Sequence, residues 1–456
     1  MRPLPRSSLF VHGRRRRPLA DAVRRACSVA LATLVSVAIA QVTPPGDGDR
    51  VLLPAVGLRA RDIAVVVNDA DPASVVVGRY YATKRGIAAD HVIHVRFAAN
   101  QGVMSFGDFQ RVQAVLDAKV GADVQAYALA WTLPYRVECM SVTAAFAFGF
   151  DPGAYCPGGD GCQPTKASPY YNSRSNAPFT DHRMRPAMLL AGDNVESAKR
   201  LIDRGLRSDE SWPEGKAYLI NTSDRGRNVR AEGYDRIRTV LGASYPIEQV
   251  DADGLEGKSD VMFEFTGIAF VPSIASNSFL DGAIADHLTS YGGVLTGFGQ
   301  TSALEWLTAG ATGSYGTATE PCSFRAKFPD PGVVIAHYLS GESLLEAYWK
   351  SVLMPGQGVF IGDPLARPFG GVRVQHGAGG TVVRTRALPP GNYAVEAATS
   401  SMGPFKPIGV VRALGFGVRE IRVPAGETRF LRVRALAGEQ QRLPPPPQAP
   451  ETPQRQ

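Results

Sequence analysis

The chain has 456 residues, of which 44% are hydrophobic and 20% charged, and its formal net charge is +7. The whole of that excess lies in the first 40 residues, where eight arginines face a single acid, Asp21. The remaining residues are close to neutral in sum, so the high isoelectric point gives no reason to expect a nucleic acid or an anionic lipid as partner. About 416 residues beyond this leader suggest two or three domains.

The arginine-rich start runs into the apolar stretch Cys27–Ala40, with small residues at Ala38 and Ala40. These are the three regions of a secretory signal peptide, with cleavage expected before Gln41. An apolar run of about 14 residues is short of the roughly 20 that span a bilayer, which favours cleavage over a retained anchor. No other stretch is apolar enough to span, so a periplasmic or secreted location is expected.

After a linker over residues 41–60, strand and helix patterns alternate. Ile63–Asn68 is a buried apolar run. Asp71-Pro72 then supplies an N-cap and a first-turn proline for a helix that stops at Gly86. His91–Phe97 is the next strand, and Ser105 caps a helix through Val120. The segments YALAWTL and AMLLAG read as strands, the second entering the helix VESAKRLIDRGL. KAYLINTS, a helix over Tyr234–Leu241, a short strand at Ile247 and VMFEFTG continue the alternation. This pattern predicts crossover units and a three-layer α/β domain, residues 61–370, with a mainly parallel sheet.

Between Met140 and Pro186 the pattern gives way to a loop insertion rich in Gly, Pro, Ser and Asn. From Gly371 the texture changes to short alternating segments. In RFLRVRAL, Leu431, Val433 and Ala435 share one face while Arg432 and Arg434 share the other. Five such strands predict a separable β-sandwich over 371–436, followed by a disordered proline-rich tail from Ala437.

Beyond the leader the cysteines are Cys139, Cys156, Cys162 and Cys322. An even number in an exported chain predicts two disulfides. Cys156 and Cys162 bracket the flexible PGGDG and are expected to close locally, which leaves Cys139 for Cys322. The alternative, a zinc site, lacks its usual cysteine spacing and partner histidines.

Several blocks resemble a bacterial family of exported proteins with no assigned activity: VVVNDADPASVVVGRYYATKRGI, SPYYN, NTSDRGRNVRAEGY, GAIADHLTSYGG and GDPLARPF. Together they cover roughly Arg61 to Phe369. More distantly, TAGATGSYGTATEP, LSGESLLEAYW and IGDPLARPF resemble the end of the caspase-like sheet of gingipain-type cysteine peptidases. That resemblance implies a His-Gly at one strand end and a catalytic Cys at the next. Here those positions hold Thr266-Gly267 and the neighbourhood of His287 and Ser290, so the caspase-like fold is implied without its catalytic dyad.

Candidate chemistry gathers at strand ends. His287 with Ser290 and Asp286 comes first. In an extended strand these side chains diverge, and a Ser–His contact requires a turn after Leu288. Otherwise His287 is a histidine satisfied at the edge of the sheet. A Cys322–His287 pair is opposed by the oxidising compartment. Glu320 could act as base or ligand, or could pair an arginine. Asp363 in its Gly-Asp-Pro turn and Asp71 at its cap read as structural. His91 and His94 face opposite ways on one strand, Asp181-His182 has no second ligand, and no glycine-rich phosphate loop follows the first strand. No metal or nucleotide cofactor is therefore expected. Two functions fit. One is an envelope protein that binds or processes a peptide or other ligand near His287, Ser290 and Glu320, a hydrolase if enzymatic but not a cysteine peptidase. The other is a scaffold acting through its C-terminal strands.

Overall fold

In the computed structural model the described residues are 50–54, 57–156, 162–297, 299–426 and 430–436. The leader and the proline-rich tail lie outside them. The main body is a ten-stranded sheet built from β1 (Ile63–Asn68), β2 (Val92–Val95), β3 (Ala126–Leu129), β4 (Ala187–Leu189) and β5 (Lys216–Asn221), then β6 (Ile247–Asp251), β7 (Val261–Thr266), β8 (Phe279–His287), β9 (Gly313–Thr317) and β10 (Gly358–Gly362). Their spatial order is β6-β5-β7-β8-β9-β10-β4-β3-β1-β2. Every neighbouring pair is parallel except β9 with β10. The sheet thus joins two parallel half-sheets of opposite direction.

Helices cover both faces, and β1 shows why the sequence reads as a continuous apolar run. Ile63, Val65 and Val67 pack with Val77 and Tyr81 of α1 (Pro72–Arg85). Ala64 and Val66 pack on the other face with Phe109, Val112 and Leu116 of α2 (Phe106–Lys119). Full burial of each such valine is worth about 1.5–3 kcal/mol, so neither face of this strand tolerates a polar residue. The Asp71 carboxylate accepts from Ala73 N–H at 2.9 Å, and Gly86 ends α1 at φ 66°. Both ends of α1 are where the sequence puts them.

The Gly-Asp-Pro turn after β10 is a structural anchor. Fully buried Asp363 accepts from the Tyr81 hydroxyl at 3.1 Å and from the Arg85 guanidinium, which also holds Asp209. Burial pushes Asp209 up to about 6 against the pull of Arg85. This cluster ties α1 and the end of α4 (Val195–Ser208) to β10.

Four expectations are corrected. Residues 50–52 of the expected linker form a strand, Arg50–Leu52, which pairs parallel with Phe430–Ala435. The expected loop insertion contains a helix, α3 (Val142–Phe148), capped by Ser141, and two shorter helical turns, Pro152–Tyr155 and Pro178–His182. A composition rich in breakers on either side hid the short run VTAAFAF. The C-terminal segment has six strands rather than five, because Val372–Gly377 pairs with Gly380–Thr385 across a tight turn.

The fourth correction is the cysteine pairing. Two disulfides are present, but they join Cys139 to Cys156 and Cys162 to Cys322, with Cα atoms 5.6 and 5.1 Å apart. Cys156 leaves the Pro152–Tyr155 turn in extended conformation beside the turn at Cys139, so its nearest thiol in space is not its nearest in sequence.

The six C-terminal strands fall into a three-stranded sheet and a four-stranded sheet completed by Arg50–Leu52. Residues of both sheets, among them Val374, Val383, Ile421, Val395, Leu431 and Val433, share one apolar cluster. Arg432 and Arg434, on the opposite face of their strand, reach Glu396 at 2.6 and 3.4 Å. Hydrogen bonds from Arg373 to Ser211 and from Phe416 N–H to the Ser244 hydroxyl, at 3.0 and 3.1 Å, bind this part to the α/β body.

Candidate functional site

The C-terminal ends of β7, β8 and β9 carry the leading candidates from the sequence, Asp286, His287, Ser290 and Glu320. β8 is buried through its last six positions and delivers Asp286 and His287 to opposite faces. Asp286 goes to a fully buried ion pair with Arg230, whose guanidinium also donates to Thr266 C=O.

His287 lies on the other face, with both ring nitrogens engaged. Its Nε2–H donates to Thr301 C=O at 2.9 Å, and its Nδ1 accepts from the Trp306 indole at 3.0 Å. These bonds fix one neutral tautomer, and burial pushes the ring pKa down to about 3. A ring held in this way has no lone pair left for a nucleophile. It fastens the end of β8 to the start of α6 (Ala303–Ala309), the helix that follows α5 (Tyr234–Leu241) along the chain.

Ser290 and Glu320 do meet. The Ser290 hydroxyl donates to Glu320 Oε1 at 3.2 Å, and the same oxygen accepts from Cys322 N–H at 2.7 Å. Thr317, the last residue of β9, donates to the carbonyls of Thr289 and Ser290, each at 3.0 Å, and so fixes the turn that presents the serine. Gln300 accepts from the Thr289 hydroxyl at 2.8 Å and from Tyr291 N–H at 2.9 Å. The Cys162–Cys322 disulfide pins the strand exit that carries Glu320. Cys322 is thereby oxidised, and among the described residues no thiol faces His287.

Sequence reasoning missed Lys327. It is fully buried, and burial pushes its amine down to about 8 against the opposing charge of Glu320. Arg227 also escaped notice. It pairs with Asp224 at 3.0 Å and donates to the Thr289 hydroxyl at 3.2 Å. Neither has a spacing signal, because both are brought in from other connections by the tertiary fold.

The positions implied by the peptidase resemblance hold no base. Thr266 is buried with its hydroxyl unpaired among the described residues, and Gly267 lies so close to the backbone that an added Cβ would sit 2.2 Å from Arg227 O. On the same face as Thr266, Glu264 is fully buried, and among the described residues neither carboxyl oxygen is hydrogen-bonded. Burial alone raises its pKa to about 8.

The block SPYYN packs against the LSGESLLEAYW block, far away in sequence. Asn172 Oδ1 meets His337 Nε2 at 3.1 Å, and Asn172 N–H donates to Lys350 C=O at 2.8 Å. His337 and Lys350 both bond Glu342 Oε2, at 2.9 and 2.8 Å. This buried group holds the inserted segment to α7 (Pro331–Leu339) and α8 (Leu344–Trp349).

His94 pairs Asp69 at 2.6 Å, and His91 lies 3.3 Å from Asp123. His182 accepts from or donates to Ser173 at 3.1 Å, and Asp181 takes the Ser175 hydroxyl at 2.6 Å. Among the described residues no three His, Cys, Asp or Glu side chains gather as metal ligands. Compared with known proteins, the chain matches no family model, no curated protein and no solved structure.

Proposed function

We propose that the chain is an exported protein whose degenerate caspase-like domain binds a cell-envelope ligand at the Ser290–Glu320 crevice. The observation that carries this reading is the Ser290–Glu320 hydrogen bond of 3.2 Å, formed at adjacent strand ends on a disulfide-pinned exit. A hydroxyl and a carboxylate held side by side, the hydroxyl's one proton given to Glu320, offer a ligand several acceptors in fixed positions. They make a poor acyl-transfer pair, because a carboxylate is a weak base towards a serine hydroxyl and the nearby imidazole is fully engaged. Two disulfides support an oxidising compartment, and among the described residues no helix is long and apolar enough to cross a membrane.

The test is amide hydrogen exchange of the purified protein titrated with defined envelope peptides and muropeptides. Protection is expected in residues 288–292 and 317–323, and should be lost in Glu320→Gln. Labelling of Ser290 by a fluorophosphonate would replace binding with hydrolysis. Absence of protection in both segments across the panel would remove the reading.

A second reading, a non-enzymatic scaffold acting through a C-terminal β-sandwich, is favoured by one observation. The outermost strand of the four-stranded sheet, Lys406–Ala413, leaves Ile408 and Val410 44% and 67% exposed. An uncovered apolar edge is a template for added strands. Loss of a co-purifying partner on Val410→Lys, with the Ser290–Glu320 segments unaffected, would select it.

A further inference from the structure

The same sheet opens a cleft at the C-terminal ends of β1 to β4, and topology explains why it opens. The chain leaves β1 for β2 on one side and returns to β3 on the other, so the connections after β1 and β3 diverge. Open α/β sheets bind ligands at such a switch point. A cleft of about 430 Å³ lies there.

Its lining has a definite chemistry. Polar groups come from each strand end: Asp71 after β1, Asn100 after β2, Thr132 after β3, and Asp193 and Asn194 after β4. Trp131, Leu133, Leu295 and Leu304 supply apolar walls, the last two from the connection after β8 and the first turn of α6. Among the described residues no lysine, arginine or histidine lines the cleft. An anionic ligand would meet two carboxylates and no countercharge.

Several polar groups are held by one bond and leave another atom over. Asp71 accepts from Ala73 N–H at 2.9 Å, Asn194 Oδ1 from Ser197 N–H at 3.0 Å, and Asp193 Oδ2 from the Thr308 hydroxyl at 2.9 Å. Thr132 is locked by donating to Gly192 C=O at 2.8 Å and accepting from Gly192 N–H at 3.0 Å. The second oxygens of Asp71 and Asp193, the Asn194 amide NH₂ and the Asn100 carboxamide have no partner among the described residues. The result is an alternation of acceptors and donors, open to solvent, beside apolar surface. Vicinal hydroxyls, each donor and acceptor at once, match it, and the C–H faces of a pyranose match the leucines.

We propose that this cleft is a binding site for an uncharged saccharide of one or two residues, separate from the Ser290–Glu320 crevice. Calorimetric titration of the purified protein with maltose, cellobiose and N,N′-diacetylchitobiose tests it, with putrescine and a sulfated disaccharide as charged probes. At least one uncharged disaccharide should bind, weakened about tenfold or more by Asp193→Leu and by Asn100→Gly. The second variant keeps the backbone sound, since Asn100 sits at φ 60°, a conformation glycine adopts freely. Ser290→Ala and Glu320→Gln should leave saccharide binding unchanged, which separates this site from the other. Binding of putrescine or the sulfated sugar in preference, no uncharged disaccharide bound at millimolar concentration, or binding indifferent to both cleft variants would each overturn the proposal.

Discussion

Two fully buried titratable groups on one face of the second half-sheet set opposite pH dependences. Burial holds His287 neutral down to about pH 3, against 6.5 when unfolded. Its contribution is therefore complete above 6.5 and is lost as pH falls towards 3. Glu264 is raised from 4.5 to about 8, so its contribution is complete below 4.5 and is lost as pH rises towards 8. Between 4.5 and 6.5 the two slopes cancel, and this pair gives a flat stability optimum. In Glu264→Leu the plateau should vanish, with stability falling below pH 6.5 by about 1.4 kcal/mol per unit while rising relative to wild type at pH 8. Chemical denaturation across pH checks both limbs. Separately, Asp286→Ala strands Arg230 inside the sheet and should cost about 3–5 kcal/mol, measurable in the same way. None of these three environments is legible in the sequence. The alternation rule sends Asp286 and His287 to opposite faces, but Thr301, Trp306 and Arg230 reach them only through the tertiary fold.

Elements with local signals are legible in the chain itself. The cap at Asp71 and stop at Gly86 bound α1, and the apolar run over Ile63–Asn68 is β1. Short elements whose signal lies in a distant partner are not: Arg50–Leu52 is a strand only because Phe430–Ala435 lies beside it. Cysteine pairing departs from expectation for the same reason, since proximity in sequence is not proximity in space. The disulfides closing 17 and 160 residues should differ in worth, about 3 against about 5 kcal/mol on loop entropy. Denaturant midpoints of Cys139→Ala/Cys156→Ala and Cys162→Ala/Cys322→Ala measure this. The second pair should also loosen Glu320, seen as faster exchange at Cys322 N–H. Free-thiol titration of the unreduced protein, denatured, should find none of these four cysteines.

At the scale of the molecule, the described residues belong to one compact unit within 42–456. The C-terminal sheets borrow the strand Arg50–Leu52 from the far end of the chain, and the separable domain expected after Gly371 would lack it. Proteolytic nicking near 371 should therefore yield fragments that stay together on gel filtration, and a chain beginning at 371 should be markedly less stable than the same segment within the whole protein. Release of a folded fragment of independent stability would contradict this.

The parallel pairing of Arg50–Leu52 with Phe430–Ala435 has a further consequence in time. An emerging chain makes the first of these strands long before the second, and long-range pairing of this kind is slow to form. Until the last strand arrives, an extended backbone edge stays uncovered and open to wrong partners. Completion of synthesis is thus a condition for closing the fold, and a chain cut short before Phe430 would announce itself by that exposed edge. Quality control would have a feature to recognise.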